Sequence, residues 1–250
     1  MGGFPEASYS GKKNNAAFYA DTSDYYYTHF ITVIGIQINM NYSTFFSKQA
    51  RKPTGIFGRF YMSRIFDKGN LELNTLISDI VSIEEDDRLL EIGSGTGELV
   101  KKIAGQLATG MIEGVDLSKP MVKISQKKNR KHLKEGRVKF HLGDFNKIKF
   151  ESNCFDKVFS VNTVYFWKNP DDTISKISRI LKPGGRLIIG FHARNEMEKL
   201  PLNSDIFKYY SVYDMEKLLS THNSLNNIDI ISRKGQGKTC YCDSAFKSKV

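Results

Sequence analysis

Between Glu91 and Val100 the sequence reads EIGSGTGELV: an acid, glycines at 93, 95 and 97, and then the start of an amphipathic run. Alternate glycines let a chain bend sharply and let a ligand lie against bare main chain. A helix that opens directly behind such a loop offers unpaired amide donors. Two phosphate-binding readings fail on spacing. A nicotinamide fingerprint requires GxGxxG, and Glu98 holds the place of its third glycine, where a negative side chain is unwelcome beside a pyrophosphate. A P-loop requires a Gly-Lys-Ser/Thr that does not follow. Asp116 stands nineteen residues after Gly97, at the end of the next apolar run, where a carboxylate can accept both hydroxyls of a ribose. That suits an adenosine ligand, dinucleotide or not. Helix capping is the competing role, although Ser118 already supplies a cap.

These residues need elements to hold them, and the chain alternates accordingly. Short β-branched or apolar runs at Arg88–Ile92, Met111–Leu117, Val138–His141, Asp156–Asn162, Arg186–Phe191, Ile228–Lys234 and Thr239–Lys247 read as strands. Helical spacing follows the glycine loop and recurs over Leu71–Val81, Ser118–Lys134, Pro170–Leu181 and Val212–His222. Alternation of this kind predicts βαβ units. The expected fold is α/β: a Rossmann-like, doubly wound, mostly parallel seven-stranded sheet. Only the last two strands follow one another without a helix, so a hairpin should make the last strand antiparallel. In such sheets ligands bind at the carboxyl ends of the strands, where EIGSGTG lies.

Upstream, Ala50–Phe66 repeats apolar residues at helical spacing after a Pro-Thr-Gly break, a short helix that should cover something. Residues 40–70 are therefore expected to form a helical cap over the site, with Phe57, Phe60 and Tyr61 closing it and Arg59 and Arg64 placed to dock an anionic acceptor. Residues 1–39 read as a poorly defined extension, with Met40 as an alternative start. The apolar run Phe30–Ile38 is too short to span a bilayer, and no basic secretion start precedes it, so the reading is cytoplasmic. The excess of 37 Lys+Arg over 27 Asp+Glu gives a net charge of +10, which favours anionic partners but says nothing about fold. Cys154, Cys240 and Cys242 form no CxxC pair, so neither a disulfide framework nor a metal site is expected.

LLEIGSGTG, GVDLS, the GD of HLGDF, FDKVFSVN and ILKPGGRL occur in an order and spacing that resemble the class I S-adenosylmethionine-dependent methyltransferases. The likeness runs from about Leu71 to Lys247 and is strongest to the small-molecule branch that includes the ubiquinone/menaquinone biosynthesis C-methyltransferases. It implies a cofactor-binding domain over 71–250 and S-adenosyl-L-methionine as cofactor. By the same resemblance Glu91, Gly93, Ser94, Gly95 and Gly97 surround the methionine part, and Asp116 binds the ribose. Leu117 and Met121 lie near the adenine, Asp144 faces its amino group, and Phe145 adjoins it. Asn162 stands where cofactor and acceptor meet. Acids at 91, 116 and 144 suit a ligand with an ammonium and a sulfonium and would oppose a diphosphate.

The expected reaction is methyl transfer to a small-molecule acceptor by in-line displacement, with no metal. His192, just past the fifth strand, is the candidate base; surface placement or substrate positioning is its plainer role. Tyr165, with Phe166 and Trp167, could face the sulfonium or wall the acceptor, and core packing explains them as well. Two other readings stand beside this one. A nucleic-acid (RNA) methyltransferase would use the basic run Lys127–Lys134, and a non-catalytic cofactor-binding protein would keep the motifs without the reaction.

Overall fold

The computed structural model describes residues 40–235 and 237–249; the expected extension 1–39 lies outside the described residues. Its first elements are α1 (Met40–Arg51), α2 (Gly55–Phe57), a π-helical turn Gly58–Met62, α3 (Ser63–Gly69) and α4 (Leu71–Ile80). The alternating part follows as β1 (Arg88–Ile92), α5 (Glu98–Ala104), β2 (Met111–Asp116), α6 (Lys119–Lys128), α7 (Arg130–Lys134), β3 (Val138–Leu142) and β4 (Phe155–Val161). A 3-10 turn (Val164–Phe166) leads to α8 (Pro170–Ile180), β5 (Leu181–Phe191), α9 (Arg194–Met197), α10 (Val212–Ser220), β6 (Leu225–Lys234) and β7 (Thr239–Lys247).

The seven strands form one sheet in the order β3-β2-β1-β4-β5-β7-β6. β1 to β5 pair in parallel, and β7 runs antiparallel between β5 and β6, as the missing helix between the last two strands predicts. The order reverses at β1, with β2 on one side and β4 on the other, which opens a crevice beyond the carboxyl end of β1. The glycine loop leaves β1 at that point.

Side chains alternate across the sheet and fill an apolar layer on each face. Leu89, Phe159 and Ile188 join Leu73, Leu76 and Ile77 of α4 and Leu99, Val100 and Ile103 of α5 in one layer. Leu90, Val158, Leu187 and Ile189 join Ile174 and Ile177 of α8 and Met215 and Leu219 of α10 in the other. Because Glu91 is two residues from Leu89, the alternation sends its side chain to the face that carries α4 and α5.

Two expectations need correction. The single helix expected over Ser118–Lys134 is broken at Asn129 (φ −101°, ψ 18°) into α6 and α7. Asn129 is fully buried, and its side-chain amide donates to the Gly97 carbonyl at 3.0 Å and the Ser125 carbonyl at 3.0 Å, so tying down the glycine loop competes with continuing the helix. In the cap, the π-helical turn fits an extra residue between consecutive faces. The apolar face drawn at ordinary helical spacing through Phe57, Phe60 and Tyr61 is therefore rotated. Phe57 and Tyr61 pack on each other (4.7 Å between centroids) and Phe57 on Phe45 (5.2 Å), while Phe60 turns outward.

Candidate functional site

The loop after β1 is held by its neighbour strand. The amides of Gly93 and Ser94 both donate to the Val115 carbonyl, at 2.8 and 3.0 Å. Gly93, Gly95 and Gly97 have φ of 76°, 51° and 73°, a region that penalises any Cβ. Gly97 has a second reason to be glycine, since a Cβ there would sit 2.7 Å from the Ser125 side chain and 2.8 Å from Asn129 Nδ2. At Gly95 a Cβ would meet only Phe66, at 3.9 Å, so its main chain faces open space beneath the cap.

Two acids converge on this loop. Asp116, at the end of β2, accepts from the Gly95 amide at 2.8 Å and from the Ser118 amide at 2.7 Å. Burial nevertheless outweighs those bonds and raises its carboxyl to about 6. Glu91 is 3% exposed, and its Oε2 has no hydrogen-bond partner. Burial first, and the neighbouring Asp116 charge second, raise it to about 8. A buried carboxylate oxygen without a donor is costly, and it is what a ligand ammonium would satisfy. The donor set thus fits a cation-bearing nucleoside: acids and bare main chain, with no lysine or arginine lining the pocket. Among the described residues no group of three His, Cys, Asp or Glu could hold a metal ion.

The cap closes this pocket. Phe66, Asp67 and Asn70, with Asn74 of α4, line it together with Glu91, the glycine loop and Val161. Asp67 accepts from Thr96 of the loop and from Lys128 Nζ at 3.1 Å, and Lys128 also pairs with Glu98 at 2.5 Å. On the far side the Ser118 hydroxyl donates to the Pro53 carbonyl at 2.6 Å. Arg59 and Arg64 are exposed and do not line the pocket; Arg59 covers the Phe60 ring at 5.2 Å.

At the end of β4, Asn162 adopts a left-handed φ of 52°. Its Nδ2 donates to Asn70 Oδ1 at 2.8 Å, and its Oδ1 accepts from the Tyr165 hydroxyl at 3.1 Å. That hydroxyl accepts from the His192 amide at 2.7 Å and lies 3.0 Å from the His192 carbonyl. Sequence-distant Asn70, Asn162, Tyr165 and His192 are thereby joined. Burial pushes the Tyr165 phenol well up, and its ring packs on Phe166 and Phe207. With Trp167 also buried, the three aromatic residues after Asn162 belong to the apolar layer rather than to the pocket lining. His192 is buried, which lowers its pKa, and its Nδ1 lies 3.2 Å from the Thr239 carbonyl. A carbonyl only accepts, so Nδ1 carries the proton and Nε2 the lone pair.

The remaining expected residues lie around the same end of the sheet. Leu117 is half-buried, and Met121 is buried in the first turn of α6, its amide capped by Ser118. Asp144 accepts from the Asn146 amide at 3.0 Å in the turn after β3. Phe145 is buried beneath Lys176, whose Nζ is 4.7 Å from the ring centroid. Sequence reasoning missed Asp67, Asn70, Asn74, Thr96 and Lys128. One signal was present: Asp67 is the only acid between Met40 and Glu72.

The methyltransferase domain family matches residues 90–189, from β1 into β5. A Bacillus subtilis protein assigned as a methyltransferase, YrhH, is 36% identical over 125 residues, covering 50% of this chain and 68% of its own length. The ubiquinone/menaquinone biosynthesis C-methyltransferase UbiE of Wigglesworthia glossinidia brevipalpis is 27% identical over 140 residues, and the match spans 56% of each protein. Among solved structures, phosphoethanolamine N-methyltransferase 2 of Haemonchus contortus, in complex with phosphomonomethylethanolamine and S-adenosylhomocysteine, superposes with a TM-score of 0.63 at 17% identity. That match covers 77% of this chain and 58% of the other. The motifs, the sheet order and these relatives agree: the chain belongs to the class I S-adenosylmethionine-dependent methyltransferases, is an enzyme of that family and takes S-adenosylmethionine as its cofactor.

Proposed function

We propose that this enzyme methylates a small-molecule acceptor by in-line displacement, with the methionine end of the cofactor lying between the glycine loop and the helical roof of residues 40–70. The roof is the observation that carries the reading. Phe66, Asp67, Asn70 and Asn74 complete a pocket whose other walls are Glu91, the loop and Val161. A small acceptor can reach a methyl group covered in this way without moving the roof, whereas a base within a folded nucleic acid would have to displace it. Relatives named for ubiquinone/menaquinone biosynthesis and for phosphoethanolamine methylation support the same class of acceptor. The basic run Lys127–Lys134 gives the RNA reading less support than its sequence suggests, because Lys128 is turned inward onto Asp67 and Glu98.

When bound, S-adenosylmethionine supplies an electrophilic methyl group on a sulfonium. Asp116 is the proposed partner of the ribose hydroxyls, with Leu117 and Met121 beside the adenine, Asp144 at its amino group and Phe145 behind it. Glu91 with Gly93, Ser94, Gly95 and Gly97 would hold the methionine end, the bare Glu91 oxygen meeting the ammonium. Asn162 would position the acceptor, its amide oriented by Asn70 and Tyr165. Holding donor and acceptor collinear can contribute ~7–11 kcal/mol in well-oriented reactions. For an acceptor that must lose a proton, His192 Nε2 is the proposed base: neutral, with its tautomer set by Thr239 and its main chain clamped by Tyr165. Calorimetric titration with S-adenosylmethionine, with NADH as control, followed by a panel of quinol-like, phenolic and amine acceptors, tests the reading. Methylation of RNA but of no small acceptor would overturn it.

A further inference from the structure

The cap's outer surface has a composition unlike the rest of the molecule. Among the described residues six large apolar side chains are exposed, and four of them fall within one short segment: Phe45 (44%), Ile56 (80%), Phe60 (52%) and Leu71 (60%). Exposed apolar side chains are ordinary when scattered and informative when gathered. The same segment carries exposed Lys48, Arg51, Lys52, Arg59 and Arg64 and, between Met40 and Phe66, no acid at all. Its first acid, Asp67, is half-exposed and already paired with Thr96 and Lys128. Contacts rather than spacing gather these groups: Arg59 lies over the Phe60 ring at 5.2 Å, Arg64 Nη1 donates to the Phe60 carbonyl at 3.4 Å, and Phe45 packs on Phe57, the neighbour of Ile56, at 5.2 Å. Beneath the π-helical turn, α6 adds exposed Lys119 and Lys123.

We infer that this face docks the enzyme on an anionic phospholipid surface, with Ile56, Phe60 and Phe45 entering the acyl boundary and the surrounding cations meeting the headgroups. The charge pattern selects this occupant. A second copy of the chain would set five cations against five. A nucleic acid would match the cations but leave aliphatic Ile56 and Leu71 in water. An anionic bilayer answers both properties, since amphipathic segments with a cationic rim and apolar tips lie in that interface. No helix among the described residues is long and apolar enough to cross a membrane, so the attachment is peripheral. The docked face is the outside of the roof whose inside lines the pocket, through Phe66 and Asp67. Attachment would therefore bring the pocket's cover to the membrane surface.

Flotation of the full chain with phosphatidylcholine vesicles, with and without phosphatidylglycerol, tests the inference. The protein should float with the anionic vesicles only. Ile56→Ser combined with Phe60→Ser should weaken that partition by about tenfold or more, the loss expected from removing two apolar side chains from the interface. Arg59→Glu combined with Arg64→Glu should abolish it. Leu142→Ser with Tyr213→Ser, which removes exposed apolar side chains elsewhere, should leave it unchanged. All three variants should bind S-adenosylmethionine like the parent, which separates failure of docking from failure of the fold or of the cofactor site. Absence of flotation, or flotation that survives Ile56→Ser with Phe60→Ser, overturns the inference. Salt-sensitive RNA retention that is unaffected by the apolar substitutions would instead assign the cations to nucleic acid and overturn it equally.

Discussion

The floor and the roof of the pocket are built by different means. The floor is made of strand ends: Glu91 and Asp116 project from β1 and β2, and loop amides donating to the Val115 carbonyl and the Asp116 carboxylate hold the loop between them. Glu91 is buried and Asp116 partly buried, and burial pushes both carboxyls above their usual range. The roof is made of helix side chains, and its links to the floor run through a half-exposed ion pair, a hydroxyl and amide contacts. Buried charge in a fixed frame holds a ligand with large energies; partly solvated pairs are screened and readily exchanged. A rigid cofactor floor beneath an easily released roof follows from the residues each side uses.

The largest effect should come from the floor. Asp116→Ala removes the acid proposed for the ribose and leaves the Gly95 and Ser118 amides without their acceptor. The two charge-assisted bonds proposed to the ribose hydroxyls, at ~1.5–3 kcal/mol each, amount to roughly a hundredfold to ten-thousandfold in affinity for S-adenosylmethionine, read by calorimetry. Normal binding by this variant would remove Asp116 from the site. On the acceptor side, His192→Gln should leave cofactor affinity intact and lower kcat by about a hundredfold for an acceptor that must be deprotonated. The low-pH fall in kcat of the parent should vanish with it. Equal kcat and an unchanged pH profile would reduce His192 to packing.

A smaller and graded effect should appear with pH. Glu91 titrates near 8 and Asp116 near 6 in the ligand-free fold, both raised chiefly by burial. A group whose pKa is raised on folding binds more protons folded than unfolded, so its contribution is full below the unfolded value and is lost as pH climbs through the folded one. The unliganded protein should therefore lose thermal stability from pH 5 to pH 8, with Asp243, raised to about 7 by burial, adding to the slope. Cofactor binding reverses the sign, because a cation prefers the ionised acids. Affinity should rise with pH by up to about tenfold per unit below the Glu91 value. Glu91→Gln should flatten that rise and leave only the Asp243 and Asp116 part of the stability slope. A Tm rise on cofactor addition that is the same at pH 5 and pH 8 would contradict the placement of Glu91.

The floor was also the legible part of the site. The motif glycines and Asp116 announce themselves because the main-chain bends and the ligand's ribose demand particular residue types at particular spacings. The sheet was legible for a related reason, since strands buried on both faces leave apolar runs that alternate with helices. The roof was not. Asn70 and Asn74 belong to no spacing rule, and the meeting of Asn70 with Asn162 depends on a left-handed turn after β4 and on the π-helical turn that rotates the cap. Local periodicity placed Phe57, Phe60 and Tyr61 over the pocket; the extra residue in that turn gave the position to Phe66 and Asp67. Likewise, the helix pattern ran through Asn129, where hydrogen bonds to Gly97 and Ser125 end α6.

The smallest predicted effect bears most directly on how the roof releases. Lys128 joins α6 to Asp67 of the cap and to Glu98 of the first loop helix, with the lysine side chain 21% exposed and the two acids 39% and 48% exposed. Pairs this open to solvent contribute about 0–1 kcal/mol each, so Lys128→Ala should change overall stability little. Its effect belongs on the cofactor's exit. Asp67 would keep its bond to Thr96 but lose its cation, and the roof should open more often without any change in the floor. Dissociation of S-adenosylmethionine should then quicken by roughly two- to fivefold with association nearly unchanged. Added salt should bring the parent toward the variant, since screening weakens the same pair. Stopped-flow displacement at low and high ionic strength measures this. Identical exit rates in parent and variant at low salt would mean that the roof is held by Ser118–Pro53 and the Asn70–Asn162 contact alone, with the ion pair a bystander.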